Sequence, residues 1–187
     1  EELTKSADPN LDWGTRFQDY RISLYVSGGD ETKRQEAIKK LRGMTGKDRV
    51  VDGDKTALGI LVQELKDRGE TISCAESCTG GLAASNLTSL PGSSSYMMGS
   101  VTSYFLSVKE KVLGVKKETL ENHGAVSEEC ALEMAEGVRR VISSDWAFSI
   151  TGVAGPDKSE GKEVGTVCLG FSGKDRESVA VTIHLFS

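Results

Sequence analysis

The sequence predicts an α/β protein: a three-layer α/β/α domain with a mostly parallel sheet and a C-terminal antiparallel hairpin, preceded by a small N-terminal α+β unit. Three observations carry this. Short apolar runs alternate with longer stretches whose apolar residues recur at helical spacing. Strands separated by helices pair in parallel and are covered on both faces. The last two extended runs are instead joined by a tight turn, and so form an antiparallel pair.

Residues 21–26 alternate Ile22, Leu24 and Val26 with polar neighbours and read as a strand, followed by a glycine turn and a helix over 31–41. Asp52, Gly53 and Asp54 form a turn. Asp54 is placed to cap a helix whose Leu58, Leu61, Val62 and Leu65 share one face, with Gly69 just past its end. A strand over 71–75 and a Gly-Gly turn lead to a helix over 82–90, and Pro91-Gly92 breaks the chain before an extended piece at 100–105. The stripe Ala131, Met134, Ala135, Val138 and Ile142 predicts a helix over 127–143 capped by Ser127. Residues 146–151 form the next strand. Strands at 166–171 and 179–186 follow, joined through Gly173, Lys174 and Asp175.

At about 150 residues per domain, 187 residues allow one full domain and a small second one. Hydrophobic residues make up 37% and charged residues 27%, which excludes disorder along the whole chain. The 23 Lys and Arg against 28 Asp and Glu give a net charge of −5, which argues against a nucleic-acid partner bound by phosphate neutralisation. Apolar runs are far shorter than the roughly 18 residues needed to cross a bilayer, so no membrane role is expected. Residues 1–55 hold 11 acidic and 11 basic side chains, and all the net charge lies beyond them. This shift divides the chain into a small unit, 1–53, and a main domain, 54–187. The start shows neither an initiator Met nor a signal peptide, and reads as part of something longer. Cys74, Cys78, Cys130 and Cys168 are widely spaced and fit reduced thiols in the cytoplasm. With only His123 and His184 to join them, they suggest no metal site.

In such a sheet, ligands bind where strands end and helices begin. Glu76-Ser77-Cys78-Thr79-Gly80-Gly81 leaves a strand and enters a helix, where backbone amides and the helix dipole suit an anion. The bland alternative is that Ser77 and Thr79 only cap the helix. Thr151-Gly152-Val153-Ala154-Gly155 is a second small-residue loop, and two such loops side by side would make a cleft. Between them lie Gly92-Ser93-Ser94-Ser95, Tyr104 and Lys109. A neutral lysine can activate a serine if burial depresses its pKa, although the serines also read as a turn and Lys109 with Lys111 as a solvated helix face.

Six strings occur in order: AESCTGG at 75–81, PGSS at 91–94, GAVSEE at 124–129, MAEGVR at 134–139, TGVAGPD at 151–157 and VGTV at 164–167. Together they resemble the C-terminal domain of the CinA (competence/damage-inducible) family, the nicotinamide-nucleotide amidohydrolase domain. Residues 1–53 more weakly resemble part of the family's middle domain. The resemblance implies hydrolysis of the amide of nicotinamide mononucleotide to nicotinic acid mononucleotide and ammonia, without metal or cofactor. It implies Ser94 as nucleophile, Lys109 as base and Tyr104 as the group that orients Ser94 or donates to the leaving ammonia; Ser77, on its strand-to-helix turn, stays the alternative nucleophile. Substrate contacts would come from Ser77, Thr79, Gly80, Gly81, Ser93, Thr151, Gly152 and Gly155.

The chain departs from the family pattern in carrying Leu106 where an Asn is usual, Lys158-Ser159 after Asp157, and Glu163 before VGTV. These departures motivate the alternative of a catalytically silent nucleotide-binding or oligomerisation domain. The family domain also continues into a closing helix where this chain stops at Ser187. Either the chain is truncated there or a partner covers the sheet face left open, and a homo-oligomer is expected.

Overall fold

In the computed structural model, residues 8–18, 21–46, 50–51, 53 and 55–185 are described, and the chain divides into two units, Glu1–Thr56 and Ala57–Ser187. In the first unit, β1 (Leu11–Gln18) pairs antiparallel with β2 (Arg21–Gly28), and α1 (Glu31–Thr45) follows. Asp30 caps α1 by accepting the Lys33 N–H at 2.9 Å. β1 is an addition to the sequence reading, and α1 runs one turn beyond the expected end.

The second unit begins with α2 (Ala57–Arg68). Its expected cap, Asp54, lies outside the described residues. Its end is a Schellman motif: Gly69 has φ 63°, the Gly69 N–H returns to the Lys66 carbonyl and the Glu70 N–H to that of Leu65. Then come β3 (Ile72–Glu76), α3 (Leu82–Thr88), a 3₁₀ turn at Ser93–Ser95 and β4 (Met97–Thr102). A short α4 (Leu106–Val108) runs into a π turn, Lys109–Leu113, before α5 (Lys117–His123) and α6 (Glu128–Ile142). The last strands are β5 (Trp146–Gly152), β6 (Thr166–Gly173) and β7 (Val179–His184). The expected strand at 100–105 is thus displaced three residues toward the N-terminus. The chain leaves the sheet at Ser103, whose N–H bonds the Glu76 carbonyl at 2.7 Å.

The sheet order is β4-β3-β5-β6-β7. β3 pairs in parallel with β4 and β5, while β6 is antiparallel to both of its neighbours. Four of the five strands therefore point the same way, with the hairpin at one end. Helices cover the sheet from both sides. On one face, Val62 and Leu65 of α2 meet Ile72, Leu87 and the buried Tyr96, whose hydroxyl donates to the Leu87 carbonyl at 2.6 Å. On the other, Cys130, Met134 and Val138 of α6 pack against Ala75, Ala147, Leu113 and Val115. Each such fully buried aliphatic side chain is worth roughly 1.5–3 kcal/mol of transfer free energy.

α6 is well specified by its ends: Ser127 Oγ accepts the Cys130 N–H at 3.1 Å, Glu128 and Glu129 sit at its positive pole, and Arg139 and Arg140 at its negative one. It lies so close to the sheet that a Cβ on Gly170 of β6 would strike the Ala131 carbonyl. Beyond α2 the opposite face is open: Phe171, Val179 and Val181 of the hairpin are 43%, 56% and 44% exposed. No helix among the described residues is long and apolar enough to cross a membrane.

The α6 contact sets a test of the packing. Gly170→Ala must push helix and sheet apart, and we expect a loss of about 1–3 kcal/mol in urea unfolding, with the midpoint lowered and the slope unchanged.

Candidate active site

Three neighbouring chain segments converge where β3 and β4 end. Glu76 closes β3 and Ser77 follows it, with the Ser77 N–H on the Ile150 carbonyl of β5 at 2.9 Å. Ser103 follows β4 and is bonded back to Glu76. Lys109 opens the π turn, a distortion that often accompanies functional sites, and its side chain runs inward instead of out to solvent. It is 1% exposed.

The Lys109 Nζ lies 2.9 Å from Ser77 Oγ and donates a short hydrogen bond to the Ser103 carbonyl. No carboxylate among the described residues forms an ion pair with it. Burial therefore holds its pKa below the ordinary lysine value, opposed by the milder influence of Cys130, Cys78 and Glu160. A lysine in this state can lose its proton and accept one from the adjoining hydroxyl.

The turn carrying Ser77 is fixed from within. Glu76 is fully buried, and its carboxylate accepts N–H bonds from Gly81 at 3.1 Å, Ala83 at 3.0 Å and Ala84 at 2.9 Å. Burial alone would raise its pKa. These amides outweigh that, together with the Thr79 hydroxyl, which is buried beside it but too poorly aligned for a regular hydrogen bond, and they hold the group below the usual carboxylate range. The amides expected to receive a substrate anion at this helix start are thus occupied by the chain's own carboxylate. Gly80 N–H bonds the Ser77 carbonyl, and Gly81, at φ 110°, gives the chain its turn into α3. The amides of Cys78 and Thr79 donate to no carbonyl or carboxylate among the described residues.

Ser93 and Ser94 are placed elsewhere. They precede β4, whereas Ser77 and Lys109 lie past the far ends of β3 and β4. A five-residue strand separates those edges by about 16 Å. The pairing of Ser94 with Lys109 expected from the sequence is replaced by that of Ser77 with Lys109. Tyr104 is 70% exposed, and Leu106 is exposed at the start of α4. Thr151, Gly152 and Gly155 belong to the neighbouring strand end: Thr151 Oγ1 donates to the Ala125 carbonyl at 2.8 Å, Gly152 ends β5, and Gly155 lies in the exposed loop beyond. The sequence reading passed over Ser103 and the bonding role of Glu76. Lys109 carried one overlooked signal, its place four residues before the apolar Leu113, one helical turn away. No group of three or more His, Cys, Asp or Glu among the described residues could hold a metal ion.

The Glu76 arrangement is testable by stability. Its folded-state pKa is depressed, so its contribution is present above the unfolded value near 4.5 and is lost as pH falls through the folded one. Glu76→Gln turns an NH2 group toward backbone donors. We expect it to cost about 2–3 kcal/mol in urea unfolding at pH 7, and the gap from the parent protein to shrink toward pH 3.

Comparison with known proteins places this geometry in context. Residues 54–186 match the family described as the CinA C-terminal domain. A CinA-like protein of Endomicrobium trichonymphae is 45% identical over 160 residues, covering 83% of this chain and 37% of the relative. One from Pseudothermotoga lettingae is 37% identical over 164 residues, covering 87% and 40%. The chain thus spans about two fifths of the length of these curated relatives. The crystal structure of the competence/damage inducible protein CihA from Agrobacterium tumefaciens superposes with a TM-score of 0.64 at 36% identity, over 68% of this chain and 78% of that one. On the matched residues and these likenesses, the chain belongs to the CinA family, through its C-terminal domain.

Proposed function

We propose that this domain is an amide hydrolase acting on the carboxamide of a nicotinamide nucleotide, with Ser77 as nucleophile and Lys109 as general base. The observation that carries the proposal is the 2.9 Å contact between a buried, unpaired lysine amine and a serine hydroxyl at the mouth of a strand-to-helix turn. The substrate class rests on the family resemblance. Ser77 Oγ attacks the amide carbon while its proton passes to the Lys109 lone pair, and the Ser103 carbonyl keeps the amine aimed at the oxygen. The amides of Cys78 and Thr79 receive the developing oxyanion, the former being the residue directly after the nucleophile. Lys109 then returns the proton to the leaving nitrogen and ammonia departs. Water, deprotonated by the same amine, releases the acid from the acyl-enzyme. Thr151 and Gly152, on the adjacent strand end, border the space where the rest of the nucleotide would lie. The Glu76-filled turn serves to position the nucleophile, not to hold phosphate.

Ammonia release from nicotinamide mononucleotide tests the proposal. Ser77→Ala and Lys109→Met should each lower kcat/KM at least about 1,000-fold, whereas Ser94→Ala should stay within about threefold of the parent. The rate should climb as pH rises through the Lys109 pKa, because only the neutral amine accepts the serine proton. Full activity in Ser77→Ala, or nucleotide binding without any ammonia release, would refute the assignment.

A further inference from the structure

From Ser77 to Val108 the chain carries no Asp, Glu, Lys, Arg or His, although 27% of its residues are charged. Such a run is ordinary inside a core, where unpaired charge is costly. This one reaches the surface. Leu82 at the start of α3, Met98 of β4 and the consecutive Tyr104, Phe105 and Leu106 are between 50% and 75% exposed. Ser94, Ser95, Ser100 and Thr102 are exposed among them.

The run includes an edge of the sheet. β4 stands first in the strand order, and no strand among the described residues pairs with its outer side. Its register with β3 slips by one residue at Met98 and is regular from Gly99 to Thr102. Gly99 faces α6, where a Cβ would stand 3.4 Å from Ile142, and by alternation Ser100 and Thr102 look to the α3 side.

An open edge presents a row of N–H and C=O groups, and proteins that stay single blunt it with lysine, proline or an inward charge. β4 has none of these. The opposite edge differs: β7 is entered through Asp175, Arg176 and Glu177, and its Thr182 hydroxyl donates to Glu128 of α6 at 2.8 Å.

The missing charges also indicate which partner fits. Around a twofold axis each residue on the axis lies beside its own copy, so a charge there would meet the same charge. Neutrality is what self-pairing demands, whereas an unlike partner is matched by opposite charges. Exposed methionine and aromatic side chains without charge are also the composition of interface centres.

We infer that β4 pairs antiparallel with β4 of a second copy, about a twofold axis near Ser100, and joins the two five-stranded sheets into one. In that register the end of one β4 lies beside the start of the other. Residues 93–95 of the partner copy then come against Tyr104 and Phe105, which directly follow Ser103, the residue whose carbonyl holds the Lys109 amine. The partner thus supplies one wall of the mouth of the Ser77–Lys109 centre. The pairing rests on the edge and its charge pattern; only the catalytic meaning of that mouth rests on the hydrolase reading.

Sedimentation equilibrium reads the pairing, and the parent should weigh twice the 20.1 kDa of one chain. Ser100→Lys sets like charges face to face at an exposed position and should weaken the dimer about 100-fold or more. Mixing it with Ser100→Glu should restore a dimer, and Val181→Lys, on the exposed face of β7, should leave the parent affinity unchanged. Phe105→benzoylphenylalanine, on illumination, should attach to residues 91–98 of the partner copy. The inference is overturned by a parent that stays monomeric at about 100 μM, by a dimer that Ser100→Lys leaves intact or Val181→Lys weakens equally, by no recovery on mixing, or by cross-links that map elsewhere. Absence of ammonia release would defeat the hydrolase reading alone, since sedimentation and cross-linking need no turnover.

Discussion

An amine buried without an ion-pair partner among the described residues is the condition on which the rest of this site depends. A paired lysine would be a stable cation and no base, and an exposed one would keep its proton at neutral pH. Here the side chain is taken into the protein by the π turn and met by a carbonyl and a hydroxyl, with no carboxylate among the described residues forming an ion pair. Dipoles of this kind orient the nitrogen without fully compensating its charge. The fold accepts a less stable protonated state in exchange for a group able to change protonation where a serine can use it. By linkage, this lysine disfavours folding most when both folded and unfolded states carry it protonated, and the penalty is relieved as pH rises past its depressed value.

The architecture that delivers the amine is simple. Two strands ending side by side give two loops a common mouth, and the chain leaving β4 crosses that mouth before it can join α6 on the face beyond. Ser103 is the pivot of this crossing, its N–H tied to the Glu76 carbonyl and its own carbonyl accepting the Lys109 amine. Serine, lysine and pivot are 26 and 6 residues apart in sequence, counted from Ser77 to Ser103 and on to Lys109, yet they meet because parallel pairing aligns the ends of β3 and β4.

Elements with both a periodic face and marked ends were legible in the sequence. α6 has an apolar stripe, a serine cap and arginines at its close, and its predicted limits fall on its observed caps. β5 and the β6-β7 hairpin are similarly delimited by turn residues. β4 was misplaced because no glycine or proline marks its end, and the turn at Ser103 is imposed by tertiary hydrogen bonds. β1 does alternate, with Leu11, Trp13, Thr15 and Phe17 against Asp12, Gly14, Arg16 and Gln18, a strand signal that the sequence reading passed over, whereas α5 is too short for a face and lacks a side-chain cap. The site was legible as a set of residue types more than as a pairing. The strand order did contain the decisive fact, for a serine preceding a strand sits at the edge opposite a loop that follows one. What no local pattern could disclose is that Glu76 would turn back onto the amides ahead of it, since that contact exists only once helix and strand are both formed.

The Glu76 contact has a consequence for how a ligand is received. A glycine-rich turn whose amides await an external anion must be ordered by that anion, and part of the binding free energy goes into freezing it. This turn carries its own anion in the preceding residue, so its shape is complete in the unliganded protein. Ligand affinity is not diminished there by lost loop entropy, and the Ser77 hydroxyl is held in a preorganised frame.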